Sequence, residues 1–250
     1  KNEINDNYNL KWFTGQLDNY SLKNVIPLYQ NPKLEFHFSS HQNVLKEIDK
    51  ANHRLKDIIN INRGVNIGGC FDDFLSKTPK SNSYWKYIAG TKNIDKYSIL
   101  WFEEDGYMEF DLKLEKKLRN RGKTLVLGSH ERYKKERLFI PESGQYLMAA
   151  YSNEKYYSAY GIMVGTSANS NYSIKYACAL LNSKLVTFYA IEKEILRKGK
   201  KATPHIGVKG LNSLPVHLCK KEIVGIISYF VTFCTLLKFK NILQVSDFFE

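Results

Sequence analysis

Asp105, Asp111 and Lys113 have the residue types of a metal-dependent phosphodiesterase. Two carboxylates hold a divalent ion in such a site, and a lysine polarises the phosphate. Charged helices produce the same pattern by chance, so a nuclease within this chain stands as an alternative reading. His37 and His41 lie four residues apart without a third ligand nearby, which leaves zinc chemistry incomplete. Gly64, Gly68 and Gly69, with Gly90 further off, lack the Gly-Lys-Ser/Thr ending of a phosphate loop. A nucleophilic serine on a glycine-flanked elbow is missing too. Cys70, Cys178, Cys219 and Cys234 are scattered, with no Cys-x-x-Cys pair. That spacing argues against a zinc site or a disulfide framework and fits a reducing cytoplasm. No residue set assigns a catalytic, cofactor or metal site to this chain, and whether it is itself an enzyme stays open.

Charge carries more information. The 250 residues have a formal net charge of +12, with 43% hydrophobic and 14% aromatic content. That is enough apolar material for a core, and the basic balance points to an acidic partner, nucleic acid before membrane. From Lys113 to Arg137 ten basic residues stand against three acidic ones, a local +7; from Glu192 to Lys209 six stand against two, a local +4. These two stretches hold +11 of the +12, so the rest of the chain is nearly neutral. Lysine or arginine on a phosphate releases condensed counterions, which drives duplex binding. The candidate DNA-contacting residues are therefore Lys116, Lys117, Arg119, Arg121, Lys123, Arg132, Lys134, Lys135 and Arg137 in the first stretch. Arg197, Lys198, Lys200 and Lys201 belong to the second. The arginines also have the forked donors that read a guanine edge. Both stretches are expected on one concave surface.

The elements that must position them read as α+β, β-rich in the centre, with several helices and an apolar C-terminal helix. Residues 1–36 are polar and Asn-rich and read as an irregular arm. A helix follows over 41–53, then a strand-like run from Leu55 to Ile61 and a glycine-rich turn from Arg63 to Gly69. Short β-like runs fill Tyr84 to Phe110, and a charged helix over 111–121 stops at Gly122. The segments 124–129 and 137–142 read as buried strands. Apolar residues three or four apart predict one helix from Ile174 to Glu194. The uncharged run Ile223–Leu237 is about 15 residues, short of the roughly 20 that span a bilayer, so no membrane is expected. It suits a helix buried on several faces or a surface for self-association. The expected divisions are 1–54, an arm and helix; 55–216, the main domain; and 217–250, a C-terminal helical segment.

Five segments, in order over about 55–216, carry a family resemblance. Leu55–Phe74 (LKDIININRGVNIGGCFDDF) has an apolar strand, then Arg-Gly, a further Gly and a Phe. Tyr87-Ile88-Ala89-Gly90 with Ile94 and Tyr97, Arg137 to Tyr151 ending in Ala-Ala-Tyr, Ala179–Leu185 (ALLNSKL) and Leu211–Pro215 (LNSLP) follow. Together they resemble the TaqI-like C-terminal specificity domains of adenine-specific, type IIG-like restriction–modification enzymes. Ile67 stands where the commoner family form has Thr, which favours a structural turn there over a ligand site.

The resemblance implies a module that reads double-stranded DNA. A methyltransferase domain of the same parent chain would use S-adenosylmethionine and flip out the adenine. Its Asn-Pro-Pro-Tyr signature is absent here, and the chain starts at Lys1 rather than Met, so a fragment is expected.

Overall fold

The computed structural model describes the backbone of residues 9–16, 19–27, 41–168, 172–197 and 203–239. It describes side chains over 41–168, 172–197 and 203–238. The chain divides into two units, Lys1–Lys50 and Ala51–Glu250. In the first, β1 (Asn9–Gln16) and β2 (Asn19–Pro27) form an antiparallel hairpin with a register shift between Trp12 and Phe13. A hairpin replaces the expected irregular arm; that shift interrupts the alternation that would have announced the strands. Helix α1 (Gln42–Asp49) follows, burying Leu45.

The second unit begins with β3 (His53–Arg54), a 3₁₀ turn at Leu55–Asp57 and β4 (Ile59–Asn62). Next come α2 (Phe71–Phe74), β5 (Leu75–Ser76), β6 (Tyr84–Ile88), β7 (Ile94–Asp95), β8 (Ser98–Ile99) and β9 (Tyr107–Glu109). Helices α3 (Leu112–Asn120) and α4 (Glu131–Lys134) carry the first basic stretch. They lead into β10 (Arg137–Pro141), β11 (Ala150–Ser152), β12 (Tyr156–Ser158) and β13 (Ile162–Ser167). The unit closes with α5 (Ile174–Asn182), α6 (Lys184–Glu192), α7 (Val208–Ser213), β14 (Pro215–Val216) and α8 (Lys221–Phe239).

Two four-stranded sheets organise this unit, β11-β10-β13-β4 and β12-β6-β9-β5. The first is antiparallel throughout; the second has one parallel pair, β12 with β6. Phe139, Ile162 and Val164 from the first sheet and Ile88, Met108 and Tyr157 from the second share one core with Leu118 of α3 and with Leu125 and Leu127. The expected strand at 124–129 is only a bridge, Val126 with Asn66, because Leu125 and Leu127 are anchored singly in that core. The architecture is α+β.

The single helix expected from Ile174 to Glu194 is two. Ser183 breaks it in extended backbone, and its hydroxyl accepts the Leu185 N–H as the cap of α6. The apolar spacing ran on because both helices bury residues, hiding the break.

The domain limits differ from expectation for a related reason. β3 pairs with β14, and the Leu55 N–H donates to Leu214 O at 2.9 Å, so residues 51–54 belong with the main unit. Helix α8 belongs there too. Val224 and Val231 are buried, Lys175 Nζ donates to Thr232 Oγ1 at 2.9 Å, Thr235 Oγ1 donates to Tyr97 O at 3.0 Å, and Lys238 pairs with Asp95. Its opposite face exposes Ile223, Ile226, Tyr229, Phe230, Phe233 and Leu236. Among the described residues no helix is long and apolar enough to cross a membrane.

Candidate nucleic-acid interface

Helix α3 starts at Asp111, whose carboxylate accepts the Lys113 and Leu114 N–H groups at 2.8 and 3.0 Å. It turns Glu115 and Leu118 inward and leaves Lys113, Lys116, Lys117 and Asn120 exposed. At 100° per residue those four fall on one face. Arg121 and Lys123 follow, both exposed, and Gly122 makes the turn with a φ of +82°. The bond of Lys123 N to Leu118 O, at 3.1 Å, closes the helix end.

The chain then returns to α3's starting end. The His130 ring, just before α4, stacks on Phe110, just before Asp111, with centroids 4.9 Å apart. Trp85, Tyr133 and Tyr157 complete this aromatic box, and Tyr157 Oη lies 2.9 Å from His130 Nε2. The box fixes α3 and α4 as one basic projection. Burial first, then the Lys134 charge, holds the His130 pKa below its ordinary value, so the ring is neutral at pH 7.

That depression has a sign. Between the ordinary histidine value and the lower folded one, the unfolded chain binds a proton that the native chain does not. Stability from the neutral ring is present near pH 7 and is lost as pH falls through that window. Thermal unfolding at pH 7.5 and pH 5.5 checks this. His130→Phe, which keeps a stacking ring, is expected to lose less melting temperature on acidification than wild type. Equal losses would remove His130 as a contributor.

The individual cations divide clearly. Lys116, Lys117, Arg121, Lys123 and Lys135 are exposed and have no ion pair among the described residues. Arg119 lies 3.7 Å from Glu115, and Lys134 lies 2.7 Å from Glu131. Both pairs are one turn apart; Glu115 is buried, but Arg119 and Lys134 are themselves exposed. Arg132 is half-buried. It donates from Nη2 to Leu127 O at 2.8 Å and stacks on the Tyr133 ring at 4.9 Å.

Arg137 corrects the sequence reading. It is 1% exposed, donates to Lys135 O and Glu154 O, and burial lowers its pKa to about 10. It opens a strand buried along its whole length, so its guanidinium serves the fold and does not face DNA.

The second basic stretch is partly described. Arg197 is exposed, its Nε donates to Glu194 O at 3.0 Å, and its backbone pairs with His205. Lys198, Lys200 and Lys201 lie outside the described residues. His205 also pairs with Ser143, just beyond β10, whereas Lys135 lies just before that strand. The described parts of the two stretches therefore attach at opposite ends of β10. The single concave patch expected from the charges includes Lys198, Lys200 and Lys201, which are outside the described residues.

The carboxylates of the nuclease alternative have other work. Asp111 caps α3, and Asp105 is buried, accepting from Phe102 N and Asn93 Nδ2 and pairing with Lys92. Strand β9 separates them. Among the described residues no group of three His, Cys, Asp or Glu is placed to hold a metal ion.

The structure adds residues that the charge count missed. Strand β4 is a sheet edge, and alongside it runs a groove of about 570 Å³. Lys56, Asn60, Asn62 and Asn212 line it with Arg132 and Lys135. The polar alternation of Ile59-Asn60-Ile61-Asn62 was the one sequence sign of an open strand face.

The segments that carried the resemblance hold the architecture. The Asn182 amide accepts from Ala149 N at 3.0 Å and donates to Ala149 O at 2.8 Å, pairing with that backbone as a neighbouring strand would. ALLNSKL is thereby tied to Ala-Ala-Tyr. Leu214 of LNSLP accepts from Leu55, and Val65 N donates to Ser158 O at 2.7 Å.

Compared with known families, residues 85–216 match the TaqI-like C-terminal specificity domain. The chain belongs to this family. As a TaqI-like specificity domain it is a DNA target-recognition module. The matched region includes α3, α4 and LNSLP, and begins after the Arg63–Gly69 turn. A solved structure, that of the type IIG restriction endonuclease BpuSI, is similar to this TaqI-like domain at 12% identity and a TM-score of 0.48. The similarity covers 85% of this chain and 31% of that one, so the chain spans under a third of its length. No curated protein matches the sequence.

Proposed function

We propose that this domain reads double-stranded DNA sequence for an adenine-N6 methyltransferase of a restriction–modification system. The observation that carries the reading is the projection of α3 and α4, whose exposed Lys116, Lys117, Arg121, Lys123 and Lys135 have no carboxylate partners among the described residues. Such a surface suits phosphate contacts, which fix register, while the exposed Arg119 carries the forked donors that suit a base edge.

In this reading the catalytic domain of the same parent chain binds S-adenosylmethionine and extrudes the adenine, at a few kcal/mol of unstacking. The specificity domain holds the duplex while that happens. The work takes place where the genome is, in the cytoplasm.

Fluorescence anisotropy on a 30-bp duplex tests the reading. With 6–10 phosphate contacts, affinity is expected to fall by about 10³–10⁵-fold between 50 and 200 mM salt. Charge reversal at Lys116 and Lys117 is expected to weaken binding to all sequences alike. Binding that ignores salt, or no binding to any duplex, would defeat the proposal.

A further inference from the structure

We propose that the groove along the open edge of β4 seats the phosphodiester backbone of a DNA strand, extending the contact surface beyond α3 and α4. The inference rests on the DNA-reading function proposed above and names residues outside both basic stretches.

Three cations from separate parts of the chain converge on the groove. Lys56 comes from the turn before β4, Arg132 from α4 and Lys135 from the segment after it. Lys56 and Lys135 are exposed and have no ion pair among the described residues. Glu131, the one acidic residue in the lining among the described residues, is held by Lys134 at 2.7 Å. The groove therefore keeps a positive potential between low-dielectric walls, an arrangement that draws anions.

Neutral donors complete the lining. Asn60 and Asn62 present their amides from the exposed face of β4, beside Thr166, and Asn212 faces them from α7. Ala168 N donates to Ile58 O at 3.0 Å, which sets the ladder phase. Ile58, Asn60 and Asn62 turn their backbone groups to β13, so Ile59 and Ile61 turn theirs to the groove.

Two polar atoms on the lining residues are buried without a hydrogen-bond partner, Arg132 Nε and Asn212 Oδ1. A native fold leaves few such atoms, because each loses its bond to water and gains none in return. Arg132 is held beside the groove by Leu127 O and the Tyr133 ring. An amide can offer either its oxygen or its nitrogen after a half-turn, so Asn212 can also serve as a donor.

An extended peptide added to β4 is the competing occupant, since an unpaired edge attracts strands. Three converging cations favour the phosphodiester. A peptide needs backbone pairing and gains nothing general from Lys56, Arg132 and Lys135 together.

The test compares duplex binding by the 250-residue chain at 50–200 mM salt for wild type, Lys56→Gln/Lys135→Gln and Lys77→Gln/Lys80→Gln. The last pair removes the same charge from exposed residues that do not line the groove. The groove pair is expected to lower the slope of log affinity against log salt by about 2, one contact for each lysine, and the control pair to leave it near wild type. Asn60→Ala/Asn62→Ala is expected to weaken binding without changing the slope.

Equal effects of the two lysine pairs would reveal a general charge effect and overturn the groove. So would an unchanged slope in the groove pair while reversal at Lys116 and Lys117 still weakens binding; the DNA-reading function would then survive without it. Failure of wild type to bind any duplex overturns both. Unfolding midpoints of the variants, expected to match wild type, separate lost contacts from lost fold.

Discussion

Arg137→Ala is expected to cost about 3–5 kcal/mol of folding stability, although Arg137 sits in the most basic stretch of the chain. Its guanidinium bonds two backbone carbonyls, Lys135 O and Glu154 O, and lies over the Phe139 ring at 5.5 Å. Truncation takes a charged donor from two part-buried carbonyls, of which Glu154 O keeps the Tyr156 N–H, and opens a cavity at the start of β10. Each effect belongs to the short set of mechanisms that produce large losses. Lysine should not restore the loss, because a single ammonium lacks the fork that serves two carbonyls at once. Urea unfolding of wild type, Arg137→Ala and Arg137→Lys measures this. A loss below about 1 kcal/mol, or weakened DNA binding with stability intact, would return Arg137 to the interface.

Gly64→Ala is expected to destabilise by about 3 kcal/mol or more, for a reason unrelated to left-handed backbone. A Cβ at Gly64 would meet Ala159 O at 2.1 Å and Ser158 O at 2.5 Å, both main-chain atoms. Relief requires moving β12, which is buried along its length and joined to β6. Gly69 provides the contrast. Its φ is +77° but nothing lies within 4 Å of its Cβ position, so alanine there should cost only the conformational penalty, about 1–2 kcal/mol. The ratio of these two losses separates close packing from backbone freedom in one turn. Were Gly64→Ala the milder change, the approach of residues 158–159 to the Arg-Gly turn would not hold in solution. Neither variant should change DNA affinity under conditions where it remains folded.

Local signals carried part of the fold. Asp111 ahead of a charged run with Leu114 and Leu118 at helical spacing marks α3, and the aliphatic run 137–141 marks β10. The α5–α6 break at Ser183 was hidden because a cap acts through one hydroxyl and leaves hydrophobic spacing unchanged. The hairpin of β1 and β2 was obscured by a register shift for a similar reason. At the candidate interface, the excess of charge between Lys113 and Arg137 was visible, but its division was not. Lys116 and Arg137 look alike in a list of cations, and one is exposed while the other is 1% exposed.

By itself the sequence determined the family, the α+β class and the strong positive balance, since these follow from composition and from the order of short segments. Tertiary structure alone decided which cations face solvent, that Asn182 completes the backbone pairing of Ala149, and that Lys56, Asn60 and Asn212 meet Arg132 and Lys135 beside β4. The physical reason is range. Propensity and periodicity act over a few residues, whereas burial and convergence depend on which distant segments share a core.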